Sequence, residues 1–314
     1  MPAIKPNIAA LVEQMPDTDK DIQAKQEEAR QQAQPAGADK AKPKPDRFGS
    51  ASKFTGPEPA VAEKVFAEIL SGGRESLLEL INLVREPRDA DYKSYKPSYV
   101  LHALVIHAGS ADNAEQRRLI AEAIASQLGS DTQSKAVKGF LIRELRILGG
   151  KEVVRTLGKH LLDEELCDDV AHALLSIREG AASQFRSALK NATARNRVTI
   201  IQALGVLRDT ESATSLKRML NDDNQEVRRT AAWALANLGE ASAADALLKA
   251  ADASEGWERT QASKACLLLA ERLAASGRNS QAVRIYAHLR DTRKDATERH
   301  VRDAAERALS ATTH

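Results

Sequence analysis

From Pro57 onward the apolar residues of this chain recur at helical spacing. The clearest case is Gln225 to Gly239. There Val227, Ala231, Ala234, Leu235 and Leu238 fall at i, i+4, i+7, i+8 and i+11, one stripe of an α-helix. Asp223 or Asn224 can cap its start, and Gly239 can take the left-handed conformation that ends it. The same spacing predicts helices over 59–70, 75–84, 97–108, 112–128, 133–148, 151–162, 166–178 and 180–190. It continues over 195–207, 210–220, 225–238, 241–251, 257–275, 279–289 and 296–310.

Weaker copies of 225–239 recur along the chain. The closing residues Leu148, Ile177, Leu207 and Leu238 are 29, 30 and 31 positions apart. Ahead of them, Leu141 and Leu145, then Val170, Ala173 and Leu174, then Ile200, Ala203 and Leu204 parallel Ala231, Ala234 and Leu235. Val100, Ala103 and Leu104 match upstream, and Ala262, Ala265, Cys266 and Leu269 match downstream. A single two-helix unit cannot cover its own apolar face, so units at this period must stack into a solenoid. A last helix with Val301, Ala305 and Leu309 on one face and polar residues elsewhere suits a terminal cap.

Residues 1–56 read differently. Pro35, Pro43, Pro45, the run Gln31-Gln32-Ala33-Gln34 and the basic run from Lys40 to Lys44 cannot bury enough apolar area to offset ordering entropy. The expectation is a disordered N-terminal arm over 1–56 and a solenoid over 57–314. Within the arm, Ile8, Leu11, Val12 and Met15 have the spacing of an amphipathic turn that can dock on a groove. A fraying helix without a role is the plainer reading.

Composition narrows the function classes. The 46 Lys+Arg nearly balance the 44 Asp+Glu, so no strong global field favours nucleic acid or an anionic membrane. Aromatics make up only 4%, which favours close helix packing over a sheet-rich fold. Cys167 and Cys266 have neither metal-type nor redox-type spacing, and Cys266 falls on a core position. No run approaches the ~20 apolar residues that span a bilayer, and no secretory core follows the N-terminus. A cytoplasmic protein is the expectation, although a chain that begins after a removed signal would read the same.

The stretch 225–239, with Val227-Arg228 near its start and Ala231-Ala232-Trp233-Ala234-Leu235 before Gly239, resembles the second helix of a HEAT repeat. It is most similar to the short variety also found in phycobilisome lyases. The resemblance extends over about 97–270. Glu144 departs from it, in a column that is Ala elsewhere. Ala270 to Gly277, followed by Ala282 and Tyr286, is similar to a tetratricopeptide hairpin whose first helix is longer than its neighbours. The resemblance implies an all-α fold, an α-α superhelix used as a scaffold for protein partners, with second helices lining the concave side.

The sequence holds no Gly-rich phosphate loop, nucleophile elbow or His-Glu-x-x-His motif. His102 and His107 are five apart, poor spacing for one metal on one helix face. No catalytic, metal or cofactor residue is predicted. The position two before each core Leu, or before Cys266 in the last unit, instead gives a column of His102, Arg143, His172, Gln202, Trp233 and Lys264. Arg146, Asn237 and Arg229 flank it. A polar stripe around one Trp has the anchor-and-rim makeup of a binding surface. Its plain alternative is a solvated helix face with Trp233 covering the next unit. A second feature is a net charge of +4 between Arg186 and Arg229, for which salt-bridged helix faces are the simpler account. The expected function is a monomeric, non-enzymatic protein-interaction scaffold. A nucleic-acid backbone binder is the alternative, and a HEAT-type lyase a further one by analogy.

Overall fold

A computed structural model describes residues 6–15, 57, 59–91, 93–110 and 113–312. Every α-helix and 3-10 turn among them follows the periodic segments, and no strand occurs among the described residues. Contacts divide the chain into two units, the first ending at Ile124 and the second beginning at Ala125. The expected span 57–314 therefore covers both units.

In the first unit α1 (Ile8–Glu13) precedes α2 (Pro59–Ser71), α3 (Gly73–Leu83) and α4 (Lys96–Ser110), and α5 (Ala114–Gln127) crosses the boundary. The expectation of disorder over 1–56 is corrected at its start. Ile8, Leu11, Val12 and Met15 are all buried, and α1 packs on α2, α3 and α4. Asn7 caps α1 by accepting from the Ala10 N–H at 3.1 Å, and the Lys96 ammonium meets the Glu13 carboxylate at 3.1 Å. The amphipathic spacing of these four residues suffices for docking, because burying each side chain contributes ~1.5–3 kcal/mol. Residues 16–56 of the predicted arm lie outside the described residues.

The second unit is a stack of hairpins. One layer holds α6 (Lys135–Leu148), α8 (Cys167–Ile177), α10 (Ala194–Leu207), α12 (Gln225–Leu238) and α14 (Gly256–Ala275), each packed on the next. The partner layer is α7 (Lys151–Gly158), α9 (Ala181–Leu189), α11 (Ala213–Met219) and α13 (Ala244–Ala253). Next, α15 (Asn279–Thr292) packs on α14, and α16 (Arg299–Thr312) closes the end against α14 and α15. Of the second-unit repeat positions chosen from spacing, Leu145, Leu174, Leu204, Leu235 and Leu269 have no exposed surface, whereas the closing residues Ile177 and Leu207 are half-buried. Glu144, out of pattern in the sequence, is buried among them.

Local chemistry sets the ends. Asn224 accepts from the N–H groups of Glu226 and Val227 at 2.9 and 3.3 Å, which caps α12. Gly239 ends it at φ 70°. Arg178 and Arg208 follow α8 and α10 in the equivalent place and also hold positive φ, 64° and 53°. The predicted helices at 210–220 and 241–251 each open with one 3-10 turn, Thr210–Ser212 and Ala241–Ala243. At 20 residues α14 is longer than the 14 of α12, as its sequence predicts.

Arginines at one register lock the layers together. Arg197 donates to the Ala192 carbonyl at 3.0 Å, and Arg228 to those of Asp222 and Asp223 at 2.8 and 3.0 Å. Arg259 donates to the carbonyls of Ala251 and Asp252 at 3.3 and 3.1 Å. Each thus satisfies carbonyls at or just beyond a preceding helix end and complements its dipole. The same three side chains also bind the carboxylates of Asp222, Glu258 and Glu298 at 2.5, 2.6 and 2.6 Å.

Candidate functional site

Stacking α10, α12 and α14 places their solvent-facing stripes side by side. Gln202, Trp233 and Lys264, aligned in the sequence, are exposed and line one groove of about 650 Å³. Val198 joins Gln202 on α10, and Glu226 and Arg229 join Trp233 on α12. Gln261 and Leu268 join Lys264 on α14. These residues fall at helical spacing, so each helix presents a continuous strip rather than an isolated side chain.

Trp233 sits in the middle of this arrangement with 36% of its surface exposed. Its ring lies over Gly205 of α10. A Cβ at Gly205 would stand 2.7 Å from Trp233 Cζ3 and 2.9 Å from Ala234 Cα. Only a residue without a side chain lets α12 come this close. The Trp233 indole N–H has no hydrogen-bond partner among the described residues. The same is true of the Lys264 ammonium and the Gln202 and Gln261 amides.

Arg229 is held from two sides. Its Nη2 donates to Glu226 Oε1 at 3.2 Å, and its guanidinium lies 5.8 Å from the Trp257 ring centroid. Its Nε is buried without a partner. Trp257, 58% exposed, was not singled out in the sequence. The signal was present: it lies seven residues before Lys264, two turns along the same face of α14.

Other members of the predicted column are placed differently. Arg143 is exposed on α6, where its Nη1 donates to Asp169 Oδ2 at 2.9 Å on α8. Asp168 in turn accepts from the Thr199 hydroxyl at 2.7 Å on α10. His172 and Arg146 are exposed on α8 and α6, outside the groove lining. His102 is exposed on α4, in the first unit. Asn237 is buried rather than presented to a partner. Its Nδ2 donates to the Trp233 carbonyl at 3.0 Å, and its Oδ1 accepts from Arg272 at 2.5 Å. It belongs to the frame that holds Trp233.

Part of the basic stretch from Arg186 to Arg229 is engaged in ion pairs: Arg186, Arg197, Arg228 and Arg229 each meet a carboxylate. Arg186 binds Asp209 and Glu211, Arg197 binds Asp222, and Arg228 binds Glu258. The Arg228 bond holds the Glu258 carboxyl below the usual carboxylate range. Both cysteines are buried, and burial pushes each thiol up to about 12, so neither is a ready nucleophile. Among the described residues no group of three or more His, Cys, Asp or Glu side chains could hold a metal ion. No helix among them is long and apolar enough to cross a membrane.

Residues 182–267 match the family model of HEAT repeats, a span that holds every groove position named above except Leu268. Several solved structures are similar. One is the complex of CpcE and CpcF of phycocyanin lyase from Nostoc sp. PCC7120. It is 16% identical, with 75% of this chain and 94% of that chain covered at a TM-score of 0.39. Importin beta is 13% identical, with 82% of this chain and 42% of that chain covered at a TM-score of 0.43. Human deoxyhypusine hydroxylase in complex with glycerol is 18% identical, with 81% and 98% covered at a TM-score of 0.32. No curated protein matches this chain.

Proposed function

We propose that this chain is a non-enzymatic scaffold whose exposed face on α10, α12 and α14 holds a segment of a protein partner. Residues 182–267 are HEAT repeats, a repeat type whose members commonly mediate protein interactions. The observation that carries the reading is the groove itself. Trp233 stands in its middle, and Gln202, Lys264 and Arg229 surround it with polar groups. A large aromatic side chain with satisfiable polar neighbours is the makeup of a binding hot spot. Its indole offers apolar area and a free donor together.

Catalysis finds no support in the same residues. The groove has one carboxylate, Glu226, and that group is engaged by Arg229, so no acid–base pair faces it. Nucleic-acid binding is not favoured by this groove, whose lining sets two cations, Arg229 and Lys264, against the carboxylate of Glu226.

Affinity capture from cell extract with wild-type protein and with Trp233→Ala tests the face. Proteins retained by the wild type are expected to be lost by the variant, with helical content unchanged in circular dichroism. If every retained protein is also retained by a folded Trp233→Ala, this face is not the binding surface.

A further inference from the structure

The groove has a second property: its unpaired polar groups are mainly donors. Trp233 offers an indole N–H and Lys264 an ammonium, neither with a partner among the described residues. The Arg229 side chain, 38% exposed, presents a guanidinium to the groove with Glu226 as its carboxylate partner. Glu226, the one carboxylate lining the groove, is already bound by Arg229. Between these groups lie apolar surfaces from Val198, Leu268 and the Trp233 ring. Donors in excess over acceptors, beside apolar surface, ask for a ligand with the opposite balance.

We propose that the partner segment is acidic, with an aliphatic or aromatic side chain seated on Trp233 and a neighbouring carboxylate taken by Lys264 and Arg229. The inference rests on the reading of this face as a partner surface and names the chemistry of what it holds. Charge-assisted bonds to a carboxylate are stronger than neutral ones, and two cations within one groove favour an anionic group. Arg229 is restrained for this task, since Trp257 stacks beneath its guanidinium and limits the freedom lost on binding. A phosphate backbone fits less well. It brings one charge per nucleotide to a lining whose two cations face one carboxylate, and it has no use for Val198 and Leu268.

The arrangement also contains a built-in competitor. Glu226 occupies one edge of the Arg229 guanidinium at 3.2 Å, so an arriving carboxylate must share or displace it. Two substitutions in the same groove therefore act in opposite directions. Lys264→Gln removes a cation and weakens binding, whereas Glu226→Gln removes the competitor and strengthens it.

The test is fluorescence anisotropy on the full chain with three labelled probes. They are a peptide alternating Asp or Glu with Leu, its uncharged twin of Asn or Gln with Leu, and a single-stranded oligothymidylate. The acidic peptide is expected to bind about tenfold or more tightly than its twin. Lys264→Gln is expected to weaken that binding about tenfold, and Glu226→Gln to tighten it about threefold. Because the second variant gains affinity, misfolding cannot mimic the pair of results. Equal binding of both peptides, lost in Trp233→Ala, overturns the acidic assignment and leaves the face standing. Peptide binding that survives Trp233→Ala sinks the face itself. Failure of the acidic peptide to bind overturns the assignment, and a preference for the oligothymidylate selects the nucleic-acid alternative.

Discussion

At the scale of single residues, the site depends on an absence. Gly205 has no side chain where one would collide with Trp233 and with the backbone of Ala234. Gly205→Ala gains helix propensity but forces α12 away from α10. It is expected to lose about 1–3 kcal/mol in urea unfolding and to shift the Trp233 fluorescence. Arg208 presents the reverse case. It holds φ 53°, a region an L-residue occupies at a cost, where the equivalent residue after α12 is Gly239. It also lies close enough to Arg272 that, after burial, it is the next cause lowering that guanidinium's pKa. Arg208→Gly should raise stability by about 0.5–1 kcal/mol, seen as a higher urea midpoint at unchanged slope. Neither effect was legible in the sequence. Gly205 reads there as a weak point inside a helix, and nothing in the periodicity marks Arg208 as left-handed.

At the scale of elements, successive helices of one layer are joined by ion pairs as well as by apolar contact. Arg228 reaches from α12 to Glu258 on α14 with bonds of 2.6 and 2.9 Å. The hydrogen bond from Arg228 lowers the Glu258 pKa in the folded state. A depressed carboxyl contributes stability that is fully present above its unfolded value, about 4.3, and is lost as pH falls through the folded one. Glu258→Gln is therefore expected to be less stable than the wild type at pH 7. The gap should close as pH falls below about 4, when Glu258 is protonated and resembles the amide. Chemical unfolding at several pH values checks this, and a gap that is constant with pH would contradict it. These bridges engage part of the positive stretch seen in the sequence. Charge counting registers Arg186, Arg197 and Arg228 as free cations, whereas the fold gives each a carboxylate from a neighbouring segment. The helices themselves were legible, because each carries its stripe within its own sequence. The docking of α1 was visible only as spacing in Ile8, Leu11, Val12 and Met15, since its receiving groove is built from α2, α3 and α4.

At the scale of the whole molecule, repeated hairpins convert a one-dimensional pattern into a face. A column chosen two residues before each core Leu predicted six positions, and all six are exposed. Exposure followed from the helical period. Membership of a common groove did not, because it depends on which neighbours touch. Gln202, Trp233 and Lys264 share one lining, while Arg143 is drawn into a pair with Asp169 and His102 belongs to the first unit. Trp257 entered the site through a stacking contact with Arg229 that spacing alone does not reveal. The near balance of 46 basic and 44 acidic residues leaves recognition to such local arrangements. The central claim is that the face of α10, α12 and α14 meets a protein partner. Its most direct test is photo-crosslinking in the native cell, with a benzophenone residue at Gln202 in one protein and at Ser215 on α11 in another. The account predicts a discrete protein adduct from position 202 that is absent from position 215 and lost on adding Trp233→Ala. Identical adducts from both positions, or none from 202, would contradict it.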